Sequence, residues 1–389
     1  MIHTILENVA QNFLNPLLLF FFAGFLIPIL RVEFEFPKAL FQSLTILLLL
    51  GIGWHGGEKL SELEGDSDLI FVLGFMVLGF VVNGIIGLLA FLMIRSTTRL
   101  RQIDAATIAG YYGSDSAGTF VTALGFLTTM NVASAPYMPV QIAIMEIPGC
   151  LLALILVARL RSNGMDAQGN MPGEVDYTPP NVPADGSEIP AMDTSLLAPD
   201  DPNFEKRRKK KLIDGHLLHE VFLNPGTFLL FVGVIIGLLA SLQGTKATEE
   251  VDHLFNFEFQ PMLCLFLMEM GTTACKRIRD LKVAGPAFAV FGLVAPNIFA
   301  MVGLFSAMLY SSLTGFQIEL GTYVLFMVLC GSASLIAVPA VQRMAIPEAS
   351  PTLPLAASLG LTFTYMVTVG IPLFLEIARL FVGEAGLNG

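Results

Sequence analysis

Long apolar stretches separated by short polar segments run along almost the whole chain. Five of them precede a polar interval, near residues 13–30, 38–54, 69–94, 105–130 and 138–158, and five follow it, near residues 226–242, 260–274, 286–310, 321–341 and 355–382. Most approach or exceed the roughly 18 apolar residues that a helix needs to cross a bilayer. The pattern therefore predicts an all-α polytopic membrane protein with ten transmembrane helices.

The fourth and ninth stretches are each interrupted by a short polar segment. The first break is Gly113-Ser114-Asp115-Ser116-Ala117-Gly118-Thr119, and the second, 218 residues later, is Gly331-Ser332-Ala333-Ser334. Backbone that leaves a helix at membrane depth forfeits hydrogen bonds that lipid cannot replace, so protein or water must surround it. We therefore expect two broken helices, and such pairs are typical of secondary transporters.

The two halves of the chain also match each other in sequence. Phe13-Leu14-Asn15-Pro16 opens the first span and Phe222-Leu223-Asn224-Pro225 opens the sixth, while Gly24 and Gly233 share the same separation of 209 residues. Gly53 and Gly271, in spans two and seven, have the separation of 218 residues found for the breaks. Because each half has an odd number of spans, the second copy is inverted in the membrane. Residues 1–160 and 221–389 are thus predicted to form two inverted five-helix repeats.

Residues 161–220 separate the two repeats and are rich in Pro, Gly, Asp and Glu. Without an apolar period, this interval is predicted to be a disordered loop. Lys and Arg are concentrated in the loops after spans three, five, seven and nine, which places these loops, including residues 161–220, in the cytoplasm. Both termini are then external, and we expect a multi-pass protein of the cell (inner) membrane.

The composition agrees with a membrane protein and disfavours other classes. Hydrophobic residues make up 54% of the chain and charged residues 14%, whereas soluble domains contain about 25% charged residues. The net charge of −11 argues against a nucleic-acid partner. Four cysteines without CxxC spacing or neighbouring histidines do not indicate a metal site or a resident cofactor. Ser116 has no histidine or lysine in a span to act as its base, so an enzyme is not expected.

Both breaks have the features of a small-anion site. A half-helix that restarts after a break has free N–H groups and the positive end of its dipole at that point. Two such N-termini would hold an anion near the midplane without a buried Lys or Arg. The residues assigned to substrate binding are Gly113, Ser114, Ser116, Gly118, Thr119, Ser332, Ala333 and Ser334. The alternative is that these small residues only permit close helix packing.

Asp115 is the charged residue of the breaks, and we expect it to bind a coupling cation together with Ser334. Carboxylate and hydroxyl oxygens can replace the hydration water of sodium, and a cation offsets the cost of burying the anion. Two other interpretations stay open for Asp115, an ordinary N-cap and a carboxyl group that carries the coupling proton. Glu146 and Glu269, within spans five and seven, are assigned supporting roles.

Four segments, taken in order, resemble the sodium-dependent bicarbonate transporter family known from cyanobacteria. They are residues 113–119, Met145-Glu146-Ile147-Pro148, residues 331–347 and Val369-Gly370-Ile371-Pro372-Leu373-Phe374. The resemblance implies a homotrimer, a gate domain that moves against a core holding bicarbonate and sodium, and a regulatory protein of the PII type at the cytoplasmic side. One departure is Leu335, which stands where that family has an aspartate after the serine pair.

The leading hypothesis from the sequence is a secondary active transporter that imports a small anion, most specifically a sodium-coupled bicarbonate symporter working by alternating access. A carrier for another small anion, coupled to sodium or protons, is one alternative. An anion channel is the other.

Overall fold

The computed structural model describes residues 14–61, 66–178, 225–244, 248, 251–278, 285–335, 338–339, 342 and 345–383. Throughout these residues the regular secondary structure is helical, without strands. The α-helices are α1 Pro16–Leu30, α2 Lys38–Leu60, α3 Asp66–Thr97, α4 Gln102–Tyr112, α5 Ala117–Thr129, α6 Met138–Met145, α7 Ile147–Ser162, α8 Pro225–Gln243, α9 Phe259–Ile278, α10 Pro286–Thr314, α11 Leu320–Gly331, α12 Thr352–Leu355 and α13 Ile371–Val382.

Several helical stretches have the length and composition of membrane spans. Among the described residues, five are long and apolar enough to cross a bilayer, namely Lys38–Glu58, Leu69–Thr97, Met138–Ser162, Pro286–Thr314 and Thr352–Val382. Pro16–Leu30, Phe228–Gln243 and Leu320–Gly331 are apolar but shorter. The described part of the chain is therefore all-α, with several helices that can span a membrane, while the count of ten spans and the inverted repeats stay predictions.

Helices α1, α2, α8 and α9 form one group, which we call the four-helix group. In it α1 packs along α9 and α2 packs along α8. A Cβ at Gly24 would overlap the carbonyl oxygen of Met268, and a Cβ at Gly271 would overlap that of Phe21. A Cβ at Gly53 would lie 2.9 Å from the Cα of Gly233, and the reverse distance is also 2.9 Å. These glycines let the backbones of each pair touch, as small residues do between membrane helices.

The other helices surround the two breaks. Helix α4 packs against α3 and α7, and α11 packs against α10 and α13. Every residue of α11 is buried, as is α4 from Ile103 to Tyr112. The helices that lead into the breaks are thus enclosed by protein, which irregular backbone at membrane depth requires.

Both predicted breaks are confirmed, and two further irregularities appear that the apolar pattern did not predict. The fourth stretch divides into α4 and α5, and α11 ends at Gly331. The fifth stretch also divides, because α6 ends at Met145 and α7 starts at Ile147 with Pro148 in its first turn. The tenth contains two π-helical segments, Ala356–Phe363 and Met366–Gly370.

Residues 161–178 differ from the predicted disordered loop. Helix α7 continues to Ser162, and residues 163–178 form a packed segment of turns, here called the strap. The buried carboxylate of Asp166 accepts the backbone N–H groups of Gln168 at 3.0 Å, Asn170 at 2.7 Å and Thr178 at 2.9 Å. The prediction of disorder is therefore wrong here, because Asp-centred turns order a chain without an apolar core. Residues 179–220 lie outside the described residues.

Candidate functional site

The first break is a short extended segment between α4 and α5. Ser116 is the N-cap of α5, with extended backbone and a hydroxyl oxygen that accepts the N–H of Thr119 at 3.3 Å. The hydroxyl of Ser114 donates to the carbonyl oxygen of Glu146 at 2.7 Å, which ties the break to the junction of α6 and α7. The N-terminus of α5, starting at Ala117 and Gly118, is therefore held at a fixed position inside the protein.

The second break follows the same plan. Ser332 is extended after the end of α11, and its hydroxyl donates to the carbonyl oxygen of Leu329 at 3.1 Å. The hydroxyl oxygen of Ser334 accepts the N–H of Val338 at 3.2 Å. Ser334 thus gives the backbone after the second break the same kind of cap that Ser116 gives α5.

The two breaks lie side by side. The N–H of Ser334 donates to the carbonyl oxygen of Tyr111, at the end of α4, over 2.8 Å. The hydroxyl of Tyr111 donates to Oε1 of Gln342 at 2.9 Å, and α5 packs against α11. Segments separated by more than 200 residues therefore form one continuous polar region; the idea that they share one bound anion stays a prediction.

A cavity of about 510 Å³ adjoins both breaks. Gly118 lines it from the first break and Leu335 follows directly after the second, while most of the other lining residues come from α2, α8 and α9. Its volume corresponds to roughly 17 water molecules at about 30 Å³ each. A small anion would therefore fill only part of it, leaving room for water.

The polar side chains on the wall of this cavity come from the four-helix group. They are Gln42 and Thr45 on α2 and Thr273 on α9. The hydroxyl of Thr273 donates to Oε1 of Glu269 at 3.0 Å, so the predicted supporting carboxylate reaches the cavity wall through a neighbour. Sequence reasoning missed these three residues, although an isolated polar residue in an apolar span is itself a signal.

The residues assigned to substrate binding have different surroundings. Gly118 lies on the cavity wall, and Ser116 and Ser334 cap the backbone beside it. Gly113 faces away, since a Cβ there would lie 2.9 Å from the Cα of Gly87 on α3. The hydroxyl of Ser114 is likewise directed to Glu146. The buried residues Thr119, Ser332 and Ala333 complete the two segments.

Asp115 is almost completely buried, with 1% of its surface exposed. Neither of its carboxylate oxygens has a hydrogen-bond partner among the described residues. The N-cap interpretation of Asp115 is wrong, because Ser116 is the residue that caps α5. Glu146, at the junction of α6 and α7, is also buried, and its main-chain carbonyl oxygen accepts the hydrogen bond from Ser114. A buried carboxylate without donors calls for a cation or a proton.

Comparison with known families gives one match over nearly the whole chain. Residues 16–379, from the start of α1 into α13, match the Na+-dependent bicarbonate transporter superfamily. No significant match is found among curated proteins. The matched family consists of transporters, which confirms the expectation that the chain is not an enzyme. With its matched region including both breaks and the cavity beside them, the chain belongs to the Na+-dependent bicarbonate transporter superfamily.

Proposed function

We propose that this protein imports bicarbonate together with sodium and that the anion binds between the two breaks. The observation that carries the proposal is the contact between Ser334 and Tyr111, which brings both breaks to one cavity. A helix N-terminus offers N–H donors and a positive dipole to an anion. Ser116, Gly118, Thr119 and Ser334 are the residues closest to that role, and none of the described residues that line the cavity has a basic side chain.

Sodium is proposed to bind at Asp115, with Ser334 and the neighbouring backbone as further oxygen donors. An ionised carboxylate that lacks donors in a buried place is costly, and a cation beside it offsets that cost. Unwound backbone next to a half-helix provides the carbonyl oxygens that transporters use for sodium. The same surroundings suit a protonated carboxyl group, so a proton-coupled carrier of a small anion is the alternative.

Alternating access is supported by the way the two halves exchange contacts. Helices α1 and α2 are spans one and two, and α8 and α9 are spans six and seven. If the repeats correspond span by span, the contact of α1 with α9 is equivalent to the contact of α8 with α2. The glycines at those contacts, Gly24 with Gly271 and Gly233 with Gly53, correspond in the same way. This supports two repeats, at 1–160 and 221–389, related by a twofold axis in the membrane plane. Movement of the four-helix group against the breaks would then open the cavity to each side in turn.

Three parts of the proposal rest on other grounds. The homotrimer and the PII-like regulator at the cytoplasmic side follow from the family resemblance. Location in the cell membrane with external termini, and residues 161–220 inside, follows from the distribution of Lys and Arg.

The test is uptake of labelled bicarbonate into proteoliposomes, with and without an inward sodium gradient. A sodium gradient should drive uptake above equilibrium, and an equal potassium gradient should not. Uptake that depends only on the bicarbonate gradient, with large unitary currents, would indicate a channel. Concentrative uptake driven by a proton gradient alone would favour the proton-coupled alternative.

A further inference from the structure

We infer that Asn83 on α3 and Gln141 on α6 belong to the cation site that contains Asp115, and that their amide oxygens are ligands for a hard monovalent cation. This inference rests on the proposed sodium coupling and extends it to two residues outside the breaks. Neither side chain lines the 510 Å³ cavity, so the cation would lie behind the breaks and apart from the anion.

Both amides are buried with unsatisfied polar atoms. Asn83 and Gln141 have 0% of their surface exposed. Oδ1 of Asn83 and both amide atoms of Gln141 have no hydrogen-bond partner among the described residues. Buried polar side chains in folded proteins are nearly always bonded to protein, ordered water or an ion. Three unsatisfied side chains in one region, counting Asp115, therefore point to a ligand.

The orientation of Asn83 is fixed by a contact across two helices. Its Nδ2 donates to the carbonyl oxygen of Met145 at 2.9 Å, which identifies the other amide atom as the oxygen. A Cβ at Gly79, one turn before Asn83, would overlap the amide nitrogen of Gln141. Gln141 is likewise one turn before Met145, so the two amides lie in successive turns of the same α3–α6 contact.

The first break continues this polar layer. A Cβ at Gly113 would lie 3.2 Å from the main-chain carbonyl oxygen of Asn83. Ser114 donates to the carbonyl oxygen of Glu146, the residue after Met145. Asn83 thus lies between Gln141 and the break that carries Asp115.

The chemistry of this layer favours a cation over an anion. Asp115 and the two amides supply four oxygen atoms without a partner, against one amide nitrogen that can donate. Carboxylate and amide oxygens are ligands for hard cations, and amide oxygens contribute without adding charge. Ordered water is the competing occupant, because it also satisfies buried amides.

The experiment uses the full-length protein, with sodium titrated against choline at constant ionic strength. Sodium binding is measured in two ways. One is the effect of sodium on the thermal unfolding midpoint in nanodiscs, and the other is the sodium concentration that gives half-maximal bicarbonate uptake. Asn83→Leu and Gln141→Leu should each raise the sodium half-saturation about tenfold or more, the loss expected for a ligand worth about 1.4 kcal/mol. Bicarbonate half-saturation at saturating sodium should change less than about twofold.

Asn297→Leu is the matched control. Asn297 also lies in an apolar span, but both of its amide atoms are hydrogen-bonded, because Nδ2 donates to the carbonyl oxygen of Leu293 and Oδ1 accepts from the hydroxyl of Tyr365. It should leave the sodium half-saturation unchanged. Gln141→Glu covers the case in which the leucine variants fail to fold, because it keeps the size, adds a charge and removes no hydrogen bond that the described residues make. It should lower the sodium half-saturation.

The outcomes separate this inference from the proposed function. If the wild-type protein shows no sodium effect on uptake or unfolding, sodium coupling itself fails. If the wild type responds to sodium while the leucine variants, or Gln141→Glu where those do not fold, keep the wild-type half-saturation, the inference is overturned and the layer holds water only.

Discussion

In the first break Ser116 accepts the N–H of Thr119, and in the second Ser334 accepts the N–H of Val338. Each break follows a buried half-helix and starts with a glycine and a serine, Gly113-Ser114 in the first and Gly331-Ser332 in the second. The corresponding positions between the serines differ, since Asp115 stands in one and Ala333 in the other. The backbone arrangement suited to an anion is therefore present twice, whereas the carboxylate is present once. We therefore expect anion binding to involve both breaks and cation binding mainly the first.

The largest effect is expected from Asp115→Asn, which keeps the size of the side chain and removes its charge. Sodium-driven bicarbonate uptake should fall about 100-fold or more, because the coupling cation loses its charged ligand. Since Ser116 and not Asp115 caps α5, the variant should fold normally. Uptake with and without a sodium gradient, together with the thermal unfolding midpoint, measures both effects.

Glu376→Gln is the matched control for this substitution, because Glu376 pairs with Arg379 at the end of α13, away from the breaks. The exchange Asp115→Ala with Ala333→Asp sharpens the comparison by moving the carboxylate to the other break. It should recover part of the sodium dependence lost in Asp115→Ala alone. Unchanged sodium dependence in Asp115→Asn would show that the carboxylate does not contribute to coupling.

An intermediate effect is expected from Ser116→Ala and Ser334→Ala. Loss of one hydrogen bond to the bound anion typically costs about 1 kcal/mol, which corresponds to about a fivefold change in an equilibrium constant. Each variant should raise the bicarbonate half-saturation by about that factor. The sodium half-saturation should change little in Ser116→Ala and should also rise in Ser334→Ala, because Ser334 is a proposed sodium ligand. Ser96→Ala, at the exposed end of α3, serves as the control. If only one of the two variants changes anion binding, the anion does not engage both breaks.

The smallest effect is expected in the strap, which touches neither break. Burial tends to raise the pKa of Asp166, but the N–H groups of Thr178, Asn170 and Gln168 outweigh it and hold that pKa below its ordinary value. Its contribution to stability is therefore present above about pH 4 and lost as the pH falls through the lower folded-state value. Relative to an unfolded peptide of the same sequence digested at the same pH, pepsin should cleave residues 163–178 more readily at about pH 2 than at pH 5.

In Asp166→Asn this difference in cleavage should largely disappear, and bicarbonate uptake should stay within about twofold of the wild type. Equal cleavage of the wild-type strap at both pH values would contradict the role given to Asp166. A large loss of uptake would instead mean that the strap belongs to the transport machinery.

The sequence revealed the breaks and the matched glycines because both stand out from their surroundings, whereas the helix contacts at these glycines are visible only in the structure. A run such as Gly113 to Thr119 interrupts an apolar span, and the equal separations of paired glycines are visible in the letters. The contact between the two breaks through Ser334 and Tyr111 depends on helix packing, which no local pattern encodes. The lone amides Asn83 and Gln141 lie in apolar spans, which makes them unusual, but only the structure shows that they are buried with atoms that lack partners among the described residues. Order in the strap was missed because side-chain-to-backbone hydrogen bonds, rather than apolar burial, produce it.

The central claim is that one anion contacts both breaks while a cation binds at the first. An experimental density map of the protein in lipid nanodiscs, prepared with sodium and bicarbonate and checked for transport, tests it most directly. The map should contain one anion peak about 3 Å from the N-terminus of α5 and within reach of Ser334, with a separate cation peak against Asp115. An anion peak remote from both breaks, or a cation peak that leaves Asp115 uncontacted, would contradict the account.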